Sequence, residues 1–224
     1  MKVLVIGATG ETGKRVVNTL TDRQIAVRAL VRNYDSAKAM LPPGTEIMVG
    51  DLLEPETIKA AIAGCTVVIN AAGARPSVDL TGPFKVDYLG TRNLVDVAKA
   101  HGIEHLVLVS SLCVSNLFHP LNLFGLILVW KQWGENYLRQ SGVPYTIVRP
   151  GGLKNEDNDN AIVMAGADTL FDGSIPRQKV AEVCVESLFS PSAKNKIVEI
   201  VSKPDIPVQS FEELFAMISW LKNC

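Results

Sequence analysis

Three glycines set three apart, in Gly7-Ala8-Thr9-Gly10-Glu11-Thr12-Gly13, directly follow the apolar run Val3-Leu4-Val5-Ile6, and no other feature constrains the fold as strongly. A continuous apolar, β-branched run reads as a strand covered on both faces. Glycines between such a strand and a helix let the backbone turn sharply and let an anion reach main-chain N–H groups. They also let the helix pack closely on the strand. The positive end of that helix then faces the anion. A glycine triplet alone is a weak signal. Its context must be a strand before, a helix after, and an interpretable residue about 20 positions on.

The chain supplies that context. A helix over about 12–21 carries Val16, Val17 and Leu20 toward the sheet, and a second strand over 25–31 ends at Arg32. A short helix over 35–41 closes at Pro42-Pro43-Gly44, a third strand over 47–49 runs into Gly50-Asp51, and Pro55 opens a helix reaching 63. The fourth strand, 67–70, is followed by Ala71-Ala72-Gly73, whose small side chains leave room for something flat against the backbone. A long helix over 83–101 leads to a fifth strand over 106–109 and the pair Ser110-Ser111. After a loop over 112–124 come a helix over 126–140 and a sixth strand over 145–148, ending at Arg149-Pro150-Gly151-Gly152. A polar, acidic loop over 155–160 separates these from a short strand over 161–165, a helix over 176–189, a strand over 197–201 and a terminal helix over 211–221. Strands alternating with helices predict an α/β, doubly wound, mostly parallel sheet of Rossmann type. At 224 residues one domain accommodates it, with about 150–224 forming a small C-terminal, substrate-side extension.

Lys and Arg number 22 against 23 Asp and Glu, so no global field recruits nucleic acid or an anionic membrane. Cys65, Cys113, Cys184 and Cys224 lack metal-type spacing and suit reduced thiols. No metal site is expected. The chain opens on a strand without the pattern of a signal peptide, predicting a cytoplasmic protein, or a stromal one after removal of a transit peptide. The 117–130 region is interrupted by His119, Pro120 and Asn122, is too short for a membrane span, and reads as pocket wall or buried helix.

An acid at the end of the second strand would accept from the ribose hydroxyls of NAD. Arg32 stands there instead, and a guanidinium binds a 2′-phosphate bidentately, which predicts NADP(H). Asp51 fits either an acceptor for the adenine amino group or an ordinary helix cap.

These residues, with Asp87-Tyr88, Gly90-Thr91-Arg92-Asn93-Leu94, Val109-Ser110-Ser111, Lys131 with Glu135, and Val148-Arg149-Pro150-Gly151-Gly152, resemble the atypical, NmrA-like branch of the short-chain dehydrogenase/reductases. Within it they are similar to the plant and cyanobacterial NADP-binding group that includes the NADPH-binding subunit of the chloroplast import translocon. The resemblance covers nearly the whole chain. It implies that Gly7, Ala8, Thr9, Gly10, Glu11, Thr12 and Gly13 hold the pyrophosphate and Arg32 the 2′-phosphate. Asp51 and Leu52, with Ala71, Ala72 and Gly73, would border the adenosine. It places Lys131 on the nicotinamide ribose, Ser110 at the cofactor, Ser111 as the active-site serine, and Pro150 and Gly151 beside the nicotinamide.

One position departs from the pattern. Carbonyl-reducing members carry a tyrosine four residues before the lysine, whose phenol hands a proton to the developing alkoxide. Here that residue is Ile127, and Tyr137 lies six residues past Lys131 on another face. Two readings follow. In one, an NADPH-dependent oxidoreductase passes hydride to a flat acceptor such as a flavin or quinone, which draws its proton from water, with Ser111 and His119 as polar guides. In the other, a non-catalytic module reports its cofactor state to a protein partner through the 117–130 region, where Phe118, Leu121, Leu123, Phe124 and Trp130 serve equally as lid or partner surface. Bland readings stand beside these: His119 as a loop residue without a role, Cys113 as a small buried group, and Lys131 with Glu135 as a plain helix ion pair.

Overall fold

The computed structural model describes residues 1–74 and 79–218. Its strands are β1 (Lys2–Ile6), β2 (Ala26–Val31), β3 (Glu46–Val49), β4 (Val67–Asn70), β5 (His105–Val109), β6 (Tyr145–Pro150), β7 (Gly152–Lys154), β8 (Ala161–Ala165), β9 (Ser174–Pro176) and β10 (Lys196–Lys203). Its helices are α1 (Glu11–Asp22), α2 (Tyr34–Met40), α3 (Pro55–Ile62), α4 (Thr91–Ala100), α5 (Ile127–Gln140), α6 (Arg177–Glu186) and α7 (Phe211–Met217). Eight strands form one sheet in the order β3-β2-β1-β4-β5-β6-β10-β8, parallel throughout except where β8 runs against β10. The doubly wound, mostly parallel α/β architecture expected from the alternation of elements is therefore present.

β1 shows why its sequence is apolar without alternation. Val3 and Val5 pack on one face in a cluster with Val16, Val17 and Leu20 of α1 and Val180, Val183 and Cys184 of α6. Leu4 and Ile6 point to the other face, in a cluster with Ile58 and Ile62 of α3, Leu94 and Val95 of α4, and Leu138 of α5. Each of these side chains is buried, and burying one of this size stabilises by roughly 1.5–3 kcal/mol.

Several expectations change. The helix foreseen over 83–101 is two pieces, since the π-helical stretch Phe84–Gly90 runs directly into α4. β7 and β9, not foreseen, pair as a separate parallel two-stranded sheet. The terminal helix was expected to reach 221; α7 ends at Met217, and residues 219–224, Cys224 among them, lie outside the described set. The reading of 117–130 as pocket wall or buried helix holds for Ile127 and Leu128, buried at the start of α5, and is corrected for the part before them. Pro120–Leu123 forms only a 3-10 turn, and α5 starts at Ile127 because Gly125 at φ +73° and Leu126 at φ +57° break the helical path. Leu117, Phe118, Leu123 and Phe124 are exposed. The loop is pinned instead by buried Asn122, whose Nδ2 donates to Leu117 O at 2.9 Å and whose Oδ1 accepts from Leu128 N at 2.9 Å. Among the described residues no helix is long and apolar enough to cross a membrane.

Candidate functional site

The strands after β1 are added on one side, to β2 and β3, and then on the other, to β4 and β5. Crossovers on opposite sides of β1 leave a crevice at the carboxyl ends of β1 and β4, where open α/β sheets bind ligands. The glycine loop fills its floor. Gly7 takes φ +74°, and a Cβ there would lie 2.6 Å from Ala72 N; a Cβ on Gly13 would lie 2.1 Å from Gly7 O. Only glycine permits both approaches. Gly10 N donates to Gly7 O at 2.9 Å, and Gly10 caps α1 without any side-chain hydrogen bond to the first turn. The N-terminal N–H groups of a 12-residue helix are thus left to an incoming anion. Glu11, beside them, is tied to Lys14 at 2.8 Å and Arg15 at 3.0 Å. Those hydrogen bonds, Lys14 first, hold its carboxyl down at about 2.

Arg32 follows β2 directly and is exposed. Among the described residues its guanidinium has no hydrogen-bond or ion-pair partner. Gly50 N donates to Val31 O at 2.9 Å, which keeps the ends of β2 and β3 together. Asp51 Oδ1 accepts from Leu53 N at 2.8 Å, closing a turn, while Glu54 is the cap residue of α3; the acid is not the helix cap. Leu52 is buried, and its carbonyl accepts from Asn93 Nδ2 at 3.0 Å.

Beyond β4, Ala71 N donates to Ile6 O at 3.0 Å and Ala72 N to Asn70 Oδ1 at 3.0 Å. Of these, Ala72 lines a cleft with Asp87, Thr91, Leu108, Val109, Ser110 and Lys131. Inside it Lys131 Nζ donates to Asp87 Oδ1 at 2.7 Å, and Asp87 Oδ2 accepts from Ala74 N at 3.2 Å. Gly73 makes room for the pair itself, and Gly134 for the backbone that carries Asp87. A Cβ on Gly73 would lie 3.3 Å from Lys131 Nζ, and one on Gly134 only 2.5 Å from Asp87 O. Ser110 Oγ is buried at this cleft with no hydrogen-bond partner among the described residues, whereas Ser111 is half-buried and outside the lining.

The spacing that suggested a Lys131–Glu135 pair is misleading. Glu135 faces β6, where Arg149 takes it through Nε at 3.1 Å and through its second terminal nitrogen at 2.7 Å. The other terminal nitrogen of Arg149 reaches Asp168 at 2.9 Å and Glu199 at 3.2 Å. Glu199 in turn accepts from the backbone N–H groups of Asp168, Thr169 and Leu170 at 2.7–2.9 Å. Burial works against the Arg149 charge, but Glu135, Asp168 and Glu199 together outweigh it and raise its pKa.

Other expected site residues have local duties. Pro150 O accepts from Leu112 N at 3.0 Å, and Gly151 packs so tightly that a Cβ would lie 2.6 Å from Gly173 O. His119 caps the 3-10 turn, its Nδ1 accepting from Leu121 N at 3.2 Å. Cys113 sits at φ +61°, its thiol donates to Phe171 O at 3.3 Å, and burial pushes that thiol up. Tyr137 donates to Asp96 at 2.6 Å. Ile127 is buried in a cluster with Leu112, Cys113, Val114 and Leu128. Asp87 is the site residue that the sequence reading misses, and an acid on the apolar side of a long helical stretch is the signal that could have found it. Thr91 and Gly134 carried no signal of their own.

A family model described as NAD(P)H-binding matches residues 7–191. An uncharacterised chloroplastic protein of Arabidopsis thaliana is 45% identical over 97% of this chain and 82% of its own length. Sanguinarine reductase of Eschscholzia californica is 33% identical over 98% of this chain and 96% of its length. The chloroplastic protein TIC 62 of Pisum sativum is 35% identical over 96% of this chain, which matches 46% of that longer protein. Among solved structures, an NAD-dependent epimerase/dehydratase-like protein from Bacillus halodurans superposes with a TM-score of 0.86 at 27% identity, over 96% of this chain and 99% of its own.

Proposed function

The chain belongs to the NAD(P)H-binding family, and on that premise we propose that it is an NADP(H)-dependent oxidoreductase that passes hydride to a flat, conjugated acceptor of the flavin or quinone type. Bound, the dinucleotide supplies the hydride. The fit rests on this chain's own residues: the backbone of Gly7 through Gly13 and the uncapped start of α1 for the pyrophosphate, and Arg32 for the 2′-phosphate. Asp51, Leu52, Ala71, Ala72 and Gly73 flank the adenosine side, and Ser110, Lys131, Pro150 and Gly151 the nicotinamide side.

The observation that carries the choice of acceptor is Ile127. It occupies the position one helical turn before Lys131 and is buried among apolar side chains, so no phenol stands there to protonate an alkoxide. An acceptor that takes its proton from water suits such a site, where the protein's contribution is to hold two flat rings in register. Sanguinarine reductase among the relatives supports the reductase reading. The relatives named chloroplastic support the stromal compartment over the cytoplasmic one.

A second reading draws on the exposure of the 117–130 region. Phe118 is 93% exposed and Leu123 81% among the described residues, and such apolar side chains suit a protein partner. Turnover separates the two readings. Steady NADPH oxidation with free flavins or quinones, lost in Lys131→Ala, supports the reductase. No turnover across that acceptor panel, with capture of a partner that changes between NADP+ and NADPH, supports the module that reports cofactor state.

A further inference from the structure

We propose that Asp87 is the positioning residue of the nicotinamide-side cleft, holding the Lys131 ammonium and the segment after β4 at a fixed separation so that the cofactor's second ribose finds its lysine already in place. This rests on the reading of the crevice as an NADP(H) site.

Four features of the cleft converge on Asp87. Its two oxygens serve different walls, one accepting from Lys131 Nζ at 2.7 Å on α5 and the other from Ala74 N at 3.2 Å beyond β4. Its side chain is 1% exposed and that of Lys131 is 14% exposed, so the ion pair is buried at the inner end and open only toward the cleft. Asp87 lies at the middle of the π-helical stretch Phe84–Gly90, a local departure from α geometry of the kind found often at functional sites. Finally, Gly73 stands against the pair, where a Cβ would lie 3.3 Å from Lys131 Nζ and 3.5 Å from Asp87 Oδ1, and Gly134 lets α5 come close to the Asp87 backbone.

Stability alone does not account for such an arrangement. Burying two charges costs desolvation that their attraction only partly offsets, and an apolar pair of the same shape serves a core as well. Here the pair is kept where a hydroxyl, Ser110 Oγ, is also buried with no partner among the described residues. A buried donor left unsatisfied is itself unfavourable. The cleft is thus furnished with an oriented ammonium and an unpartnered hydroxyl, groups that suit the hydroxyls of a ribose. Glu135 offers no alternative hold on Lys131, since Arg149 occupies it.

The test uses two ligands that differ at the proposed point of contact: NADPH, and adenosine 2′,5′-bisphosphate, which keeps the 2′-phosphate and lacks the second ribose. Binding of each is measured calorimetrically to the wild type, Asp87→Asn, Lys131→Met and the double variant. Asn at position 87 keeps the shape and one acceptor oxygen for the two donors, Ala74 N and Lys131 Nζ, and removes the charge that pairs with the ammonium. The double variant removes both charges and guards against a fold lost to an unpaired buried ion. The expected result is NADPH binding weakened about tenfold in Asp87→Asn, a coupling within the range for contacting residues. Adenosine 2′,5′-bisphosphate binding is unchanged, and the double variant is no weaker than Lys131→Met. Unchanged NADPH binding in Asp87→Asn, equal weakening of both ligands, or additive losses in the double variant overturn the proposal while leaving the cofactor reading intact. A wild type that binds neither ligand overturns both.

Discussion

Arg149 on β6 and Glu135 on α5 are joined by three hydrogen bonds of 2.7–3.2 Å in a region where both side chains are almost wholly excluded from solvent. The same guanidinium holds Glu199 on β10 and Asp168. One cation therefore ties the helix that carries Lys131 to the C-terminal strands.

Removing that cation leaves the Glu135 charge buried without its counterion and Glu199 held by backbone N–H groups alone. Arg149→Met is expected to destabilise the fold by about 3–5 kcal/mol, the range for breaking one side of a buried ion pair. Denaturant unfolding measures it as a lowered midpoint at unchanged slope. A loss under about 1 kcal/mol would mean that the carboxylates find protons or water instead.

Gly13→Ala addresses the glycine loop. The added methyl would meet Gly7 O at 2.1 Å, a backbone atom that moves only if the loop moves. The substitution is expected to cost at least about 2 kcal/mol and to abolish dinucleotide binding. Gly64→Ala is the control for a glycine with positive φ but open space around it, and it leaves dinucleotide binding intact while straining the backbone.

Stability also depends on pH through His105. Burial, with a smaller contribution from the Lys194 charge, lowers this imidazole from its usual 6.5 to about 4. Its Nε2 lies 2.8 Å from Thr146 Oγ1, and Nδ1 has no partner among the described residues. The unfolded chain takes up the proton at higher pH than the fold does, so the contribution is complete above about 6.5 and is lost as pH falls toward 4. The span is about 3 kcal/mol at most. Unfolding free energies across that window, compared with His105→Gln, show a reduced slope in the variant; parallel curves would contradict the assignment.

The strands of the main sheet were legible because burial on both faces writes a continuous apolar run, as in Val3–Ile6 and Val67–Asn70. β7 and β9 were not, since three residues containing Gly152 or Pro176 carry no period. The π-helical start at Phe84 was also hidden, because a shift of one hydrogen-bond register leaves the apolar pattern of a helix almost unchanged. Gly7, Gly13 and Arg32 stood out as single positions with a physical requirement. Lys131 did not reveal its partner: Asp87 is 44 residues away, and the i, i+4 rule pointed to Glu135. Spacing along one helix says nothing about a better partner on a neighbouring strand, and Arg149 was that partner. The exposure of Phe118 and Leu123 was not legible either, since apolar composition alone left their loop open between a lid and a partner surface.

The central claim, that the crevice between β1 and β4 takes NADP(H) through the glycine loop and Arg32, is tested most directly by titrating NADPH and NADH against the wild type and Arg32→Glu. The wild type is expected to bind NADPH at least about tenfold more tightly than NADH, and Arg32→Glu to remove that preference, as loss of a charge-assisted phosphate contact requires. Equal binding of the two dinucleotides by the wild type, or NADPH affinity unchanged by Arg32→Glu, would contradict it.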